Sequence, residues 1–309
     1  MDVRNRVESR NFEKSVMFFT LAGSDLEDWH TRLLIRSLRA FGGSYRSCPV
    51  LIFTTRKETS QVSDHGLAGV EYIPLEVDQA LQNAYFASKV SACAQAERMA
   101  SSTDQTLVWM GSRSLVTAPP RHFELHSKAD VAIRPVHHRN IGVPINQPLD
   151  LFWRGIYDSV GLQNPPFSVE TFVESQPIAP YFNTHLFAFD PSLGLMQAWL
   201  EHFSKLALDR DFQAGACADE SHRVFLHQAV FSTLIAGRLE NDRVRLLPPT
   251  YSYPLHMHAE VPEDIRPRSL NDLICPVYEG AFAYPSSLGE LKAYDPLHSW
   301  LLKQGSASG

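Results

Sequence analysis

Apolar positions along this 309-residue chain recur with two different periods, and the switches between them predict an alternating series of strands and helices. Residues 16–21 form a short, mostly apolar run with Thr20 near its end, which predicts a buried strand. Ser24-Asp-Leu-Glu27 follows as a capping box, a serine oxygen for the orphan amides and a glutamate reaching back. Leu26, Trp29, Leu33, Leu38 and Phe41 then recur at roughly helical spacing, and Gly42-Gly43 supplies the stop. Residues 50–54 and 70–75 predict a second and a third strand, 85–99 a helix, 106–110 a fourth strand and 130–134 a fifth.

The second half is less regular. A helix over 149–160 ends at Asn164-Pro165-Pro166, and a strand follows over 182–189. An amphipathic helix over 192–208 takes Ser192 as its cap, another spans 221–237, and a short strand over 244–247 precedes a proline-rich stretch. Strands separated by helices imply right-handed crossovers, and so an α/β class: a mostly parallel twisted sheet with helices on both faces. No internal repeat or low-complexity linker divides the chain. The layout expected is an N-terminal extension over 1–14, one domain over 15–303 and a disordered tail over 304–309.

Composition narrows the function. With 44% hydrophobic residues the chain can bury a large core. A net charge of -6 argues against a general nucleic-acid binder, which needs a basic face, while leaving room for a small phosphorylated ligand held by local cations. The first 14 residues lack an apolar signal core, and no apolar run reaches the roughly 18 residues of a spanning helix. Cys48, Cys93, Cys217 and Cys275 are scattered without a C-x-x-C pair, as expected of free thiols in a reducing cytoplasm.

In an open parallel sheet, ligands sit beyond the carboxyl ends of the strands, where loops diverge. That rule selects three segments. Thr20, Ala22 and Gly23 lie in a small-residue loop leading into a helix N-terminus, whose amides suit an anion or a nucleoside edge, although a plain strand-to-helix turn reads the same way. The apolar run 107–110 ends abruptly in Gly111-Ser112-Arg113. Arg134-Pro-Val-His-His-Arg139 then gathers two guanidinium groups with His137 and His138, which suits phosphate forks and proton donation but also describes a solvated basic loop. A fourth segment, His256-Met-His258, places two imidazoles on one face if it is extended. The acidic candidates are Asp219 and Glu220, leading into the helix that carries His227 and Gln228, where a carboxylate also serves as an ordinary cap.

In order and spacing these pieces resemble GT-A-type nucleotide-sugar glycosyltransferases over about residues 15–260. Phe18-Phe-Thr-Leu-Ala-Gly-Ser24 matches the first strand, where such enzymes hold the nucleoside. Phe86-Ala-Ser-Lys89 looks like the start of the helix before the Asp-x-Asp strand, with Lys89 as a donor contact. Tyr181-Phe-Asn-Thr-His-Leu-Phe187 is similar to the Phe-Asn-Ser-Gly segment lining the sugar and acceptor site, with Asn183 matching and His185 standing where glycine is usual. Phe225-Leu-His-Gln-Ala-Val-Phe231 resembles the Asp-Gln helix, with His227 in the aspartate position. Residues 248–258 are similar to the segment that ends in a metal-binding histidine in glycogenin-like members. The resemblance implies a GT-A fold with a nucleotide-binding half over 15–134 and an acceptor and C-terminal lobe over 135–303.

The same resemblance exposes a substitution of charge. Gly111-Ser112-Arg113 stands in place of Asp-x-Asp, whose oxygens would suit Mg²⁺ or Mn²⁺. A fixed +1 charge about 4 Å from a +2 ion costs roughly 8 kcal/mol at an effective dielectric near 20, so an inward Arg113 replaces a metal, and an outward one marks a decayed pocket. No cofactor is expected. The leading expectation is a metal-independent transferase moving a sugar from a nucleoside diphosphate to a glycan or small-molecule acceptor. In it Arg113 and Arg134, with Arg139, hold the phosphates, His137 or His138 assists departure, and Glu220 or Asp219 is the general base. The alternative is a non-catalytic GT-A-like protein that binds a nucleotide or glycan. A third class is a metal hydrolase built on His137, His138, His256 and His258.

Overall fold

The computed structural model describes residues 15–56, 67–279 and 291–304. The expected extension over 1–14 and all but the first residue of the expected tail lie outside the described residues. The first half follows the expected alternation: β1 (Ser15–Leu21), α1 (Asp25–Phe41), β2 (Val50–Thr54), β3 (Val70–Pro74), α2 (Ala87–Ala100), β4 (Gln105–Met110), β5 (Val131–Pro135) and α3 (Leu151–Val160). The second half adds β6 (Val169–Glu170), β7 (Pro177–Ile178), β8 (Phe182–Phe189), α4 (Leu195–Leu208), α5 (Arg210–Ala214) and α6 (Glu220–Arg238). It closes with β9 (Val244–Leu246), β10 (Tyr251–Pro254), β11 (Cys275–Val277) and α7 (Leu297–Leu302). No helix of the described residues is long and apolar enough to cross a membrane.

Local chemistry sets the helix starts. Ser24 caps α1 by accepting from the Glu27 amide at 3.2 Å, and the Glu27 carboxylate reaches one residue further than a capping box does, to the Gly23 amide at 2.7 Å. Helix α2 begins two residues later than its spacing predicts because Phe86 stands at φ 63, in left-handed geometry that ends any helical run through Tyr85. Ser192 is not the cap of α4. It sits in a separate turn held by Asp190, which accepts from the Ser192 amide, and left-handed Gly194 (φ 65) opens the helix instead.

The central sheet has the order β3-β2-β1-β4-β8-β5-β9. All neighbours are parallel except β8, which runs antiparallel to both β4 and β5. Alternation along the strands splits the core into two layers. Phe19, Leu51, Phe53, Trp109, Ile133, Phe187 and Phe189 face the layer built by α2, α3, α4 and α6. Val16, Phe18, Val50, Ile52, Val108 and Ala132 face the layer containing Leu34, Ile35 and Leu38 of α1. Helices thus cover both faces of a mostly parallel sheet, as the sequence pattern predicts. The parallel pair β10–β11 lies outside this sheet and is tied to the chain leaving β4: Leu115 donates to Pro276 at 3.0 Å, and Tyr278 donates to the Arg113 carbonyl at 2.9 Å.

One distant carboxylate stitches two helices of the larger layer. Glu97 of α2 is buried, and its oxygens accept from the first-turn amides of α4, Met196 at 2.9 Å and Gln197 at 2.8 Å. Those amides have no partner within α4, so the carboxylate does the work of a cap from another helix. Replacing Glu97 with Ala is expected to lower the unfolding free energy by about 2 kcal/mol. The check is a urea titration whose midpoint falls while its slope holds; a shift near zero would mean that water satisfies both amides.

Candidate functional site

The carboxyl ends of β1, β2, β4 and β5 share one edge of the sheet, and because β8 is reversed its beginning, Phe182 to His185, lies at that same edge. Three adjoining cavities open there. One of about 770 Å³ lies beyond β1 to β3 and is lined by Gly23, Glu27, Thr55, Glu76 and Lys89 among others. A second of about 330 Å³ lies beyond β4, with Gly111, Ser112, Arg113, His185 and Glu279 in its walls. The third, about 280 Å³, lies deeper between β8 and α6, and its lining includes Lys89, His137, His138, Asn183, His185, His227, Gln228, His256 and Glu279. Phe86 borders all three. Its left-handed backbone projects a 47% exposed ring into the crevice, with one face stacked on His227 at 4.2 Å between centroids. A bulky residue held at positive φ costs of order 1 kcal/mol or more, a strain found most often where a side chain must be presented to a ligand.

Lys89 is the electrostatic anomaly of the deep cavity. Its ammonium group is buried, donates to Thr184 Oγ1 at 2.6 Å and lies 3.2 Å from His227 Nε2. His227 Nδ1 is 3.0 Å from the Val224 carbonyl, an acceptor, so the proton belongs on Nδ1 and Nε2 is the lone-pair nitrogen that faces Lys89. No carboxylate pairs with Lys89 among the described residues, and burial pushes its pKa down to about 7. Burial, with Lys89 close by, also holds His227 well below the usual imidazole range.

A second constellation joins β8 to the C-terminal segment. Asn183 Oδ1 accepts from the His185 amide at 2.8 Å, which fixes it as the oxygen, and lies 2.9 Å from His185 Nδ1. The His185 ring thus meets an acceptor at each nitrogen, with Glu279 Oε1 3.4 Å from Nε2. The hydrogen bond from His185 holds the Glu279 carboxyl below the usual carboxylate range. Glu279 is the one carboxylate among the lining residues of the second and third cavities. Arg113 borders the second cavity, and its guanidinium makes no hydrogen bond or ion pair among the described residues.

Other residues expected at the site are placed elsewhere. Arg134 is only 2% exposed and does not line the crevice: its guanidinium donates to the Ser252 carbonyl at 2.8 Å and to His137 Nδ1 at 2.9 Å, and packs over Phe172. It is a buried structural fork, pinned by backbone carbonyls rather than aimed at phosphates. It also fixes the tautomer of His137, because guanidinium only donates, so the His137 proton sits on Nε2. His138 lies between two carboxylates, Nδ1 2.8 Å from Glu174 and Nε2 3.1 Å from Glu260. Arg139 is exposed and borders none of the three cavities. Asp219 caps α6 through the Ser221 amide at 2.8 Å, and Glu220 accepts from Tyr85 at 3.0 Å, so both expected acids stand on the outside. Thr20 and Ala22 are buried beneath the first cavity, with Leu21 and Gly23 of that stretch in its wall. Residues 255–260 wind into a 3-10 turn rather than an extended strand, which sends His256 to the deep cavity and His258 to the Tyr253 hydroxyl at 2.8 Å.

Glu279, Phe86 and Thr184 are absent from the sequence-derived set. The run 275–278 ahead of Glu279 carried the signal of a short buried strand ending at a carboxylate. Nothing local in the sequence reports the backbone inversion at Phe86. As for a divalent metal, Gly111, Ser112 and Arg113 at the end of β4 offer it no carboxylate, and the cavity there adds one acid and one imidazole, Glu279 and His185, which by themselves do not make a divalent site. The histidines fit no better: His137 offers only a protonated nitrogen, His138 is held by two carboxylates, and no cluster of three or more His, Cys, Asp or Glu among the described residues suits a metal.

A parallel α/β sheet interrupted by one reversed strand, with a segmented crevice at its carboxyl edge, defines a Rossmann-like fold of the GT-A kind. Residues 18–238, more than two thirds of the chain, match the Rhodobacterales glycosyltransferase domain, and the protein belongs to that family. No curated protein matches the chain.

Burial of neutral imidazoles makes the site acid-labile. His30 is pushed down to about 4 by burial and by Arg113, His137 to about 3 by burial and by Arg134, and His227 lies well below 6.5. Each is depressed relative to the unfolded chain, so its contribution is complete above pH 6.5 and is lost as pH falls below it, when only the unfolded state takes up the proton. The unfolding free energy is expected to drop by about 1 kcal/mol per histidine between pH 7.5 and 5.5. Chemical denaturation at the two pH values checks this, and His137→Gln is expected to flatten the profile by about one third.

Proposed function

We propose that the protein transfers a glycosyl group from a nucleoside diphosphate sugar to a glycan or small-molecule acceptor without a divalent metal. The observation that carries this reading is Arg113, an uncommitted guanidinium at the end of β4 where three cavities meet around Phe86. The nucleoside occupies the cavity beyond β1 to β3, where Glu76 and Glu27 offer acceptors to ribose hydroxyls. The diphosphate lies beyond β4 against Arg113 and the amides of Ser112 to Ser114. The sugar enters the deep cavity, stacking on the open face of Phe86. As the glycosidic bond breaks, charge accumulates on the departing diphosphate, and a preorganised guanidinium stabilises that charge where a metal does so in related chemistry. Glu279, oriented toward His185, takes the part of the base that accepts the acceptor's proton, and Asp219 and Glu220 do not.

A panel of uridine, guanosine, adenosine and thymidine diphosphate sugars, incubated with the protein in excess chelator, tests this. Release of nucleoside diphosphate is expected to persist undiminished, to fall about 10²-fold in Arg113→Ala and to fall by at least about 10²-fold in Glu279→Gln. Loss of turnover on chelation, restored by Mn²⁺, overturns the metal-independent reading. A non-catalytic nucleotide- or glycan-binding role is the second reading. It is favoured by the pairing of the cavity's one carboxylate with His185. It predicts a rise in Tm with nucleoside diphosphate and no product from any member of the panel.

A further inference from the structure

Resting on that assignment of the deep cavity to the sugar, we propose that the transferred sugar bears a carboxylate, a uronic acid or its equivalent, and that Lys89 is the residue that reads it. The deep cavity holds a buried ammonium group with no anion against it. Lys89 has three N–H donors and two hydrogen-bonding partners in the protein, Thr184 Oγ1 and His227 Nε2, both uncharged acceptors, with the Phe86 ring 5.4 Å from its nitrogen as a further uncharged neighbour. At least one donor therefore remains for a ligand in the cavity it lines. A lysine taken out of water without a counter-ion is costly to keep, and the fold keeps it next to a cavity rather than next to a carboxylate. The groups around it do not supply one: His227 from α6 is neutral, Cys93 from its own helix is a buried thiol, Glu279 across the cavity is engaged by His185, and Glu27 and Glu76, which share the cavity beyond β1 to β3 with Lys89, form no ion pair with it.

The diphosphate is not the missing anion. Arg113 borders the cavity beyond β4 and is absent from the lining of the deep cavity, whereas Lys89 borders the deep cavity and the one beyond β1 to β3 and is absent from the one beyond β4. Two cations in separate compartments fit two anionic groups on one ligand, with the exposed ring of Phe86 between them as the surface on which a pyranose stacks. A neutral sugar leaves Lys89 either uncompensated or deprotonated. A carboxylate gives it a charge-assisted hydrogen bond in a dry setting, which is where such a bond discriminates most.

The test compares donor pairs that differ only in the carboxylate: UDP-glucuronate with UDP-glucose, and GDP-mannuronate with GDP-mannose, by calorimetry in buffers of different ionisation enthalpy. In whichever pair binds, the acidic member is expected to bind at least about tenfold tighter. Because burial holds Lys89 near pH 7, that member is also expected to take up close to one proton at pH 8 and almost none at pH 6. Lys89→Met removes both the preference and the proton uptake. It also removes a buried charge, so its Tm is expected to match or exceed that of the parent, which separates a binding defect from a folding one. His227→Asp supplies an internal counter-ion and is expected to move the preference to the neutral member. Equal binding within a pair, or a preference for the neutral sugar that Lys89→Met leaves unchanged, overturns the proposal while the transferase reading stands. If no nucleotide sugar binds, free glucuronate against glucose decides: selective binding of the acid keeps this inference and overturns the transferase reading, and binding of neither overturns both.

Discussion

Everything at the site depends on one reversed strand. In a fully parallel sheet the carboxyl edge receives only strand ends, each followed by a loop that turns away into a helix. Strand β8 enters the sheet the other way between β4 and β5, so its first residues, still in extended ladder geometry, stand at the ligand edge. Asn183, Thr184 and His185 are therefore fixed by main-chain pairing rather than by loop packing, with the His185 carbonyl accepting from Gly111 at 2.8 Å. The register shift between Ile133 and Arg134 lets β5 bend away just where the two strands separate around the deep cavity.

Around this frame the cationic and imidazole side chains have different fates set by their surroundings. Arg113 is left free at the surface of the crevice, whereas Arg134, chemically identical, is consumed by two carbonyls and an imidazole beneath it. His227 and His185 each set Nδ1 against an acceptor, the Val224 carbonyl and Asn183 Oδ1, yet Nε2 faces an ammonium group in the first and a carboxylate in the second. Side-chain type alone does not distinguish these roles; the group across from Nε2 does.

How much of this was readable follows the range of the forces involved. Strands β1, β2, β4, β5 and β8, and helices α1, α4 and α6, are written in local apolar periodicity, so their existence was legible and their ends drifted by no more than three residues. The direction of β8 was not legible, since an apolar run carries no sign. Lys89, Asn183, His185, His227, Gln228 and His256 meet at one cavity as the motif spacing implied. The misplacements share a cause. Arg134, Asp219, Glu220 and His258 carry suitable functional groups, but a nearer partner claims each one, and those partners are main-chain or tertiary neighbours invisible at the level of motif. Glu279 arrives through the β10–β11 pair, which docks on the segment after β4 from far along the chain.

The buried imidazoles have a consequence for how this molecule sees its environment. A ring whose protonation is forbidden by its burial behaves as a fixed dipole, a directional donor on one side and acceptor on the other, indifferent to the acidity of the medium until the fold itself gives way. His137, held by Arg134, is such a ring, so its own share of the deep cavity's polarity is set by geometry and stays the same in mildly acidic and in alkaline surroundings.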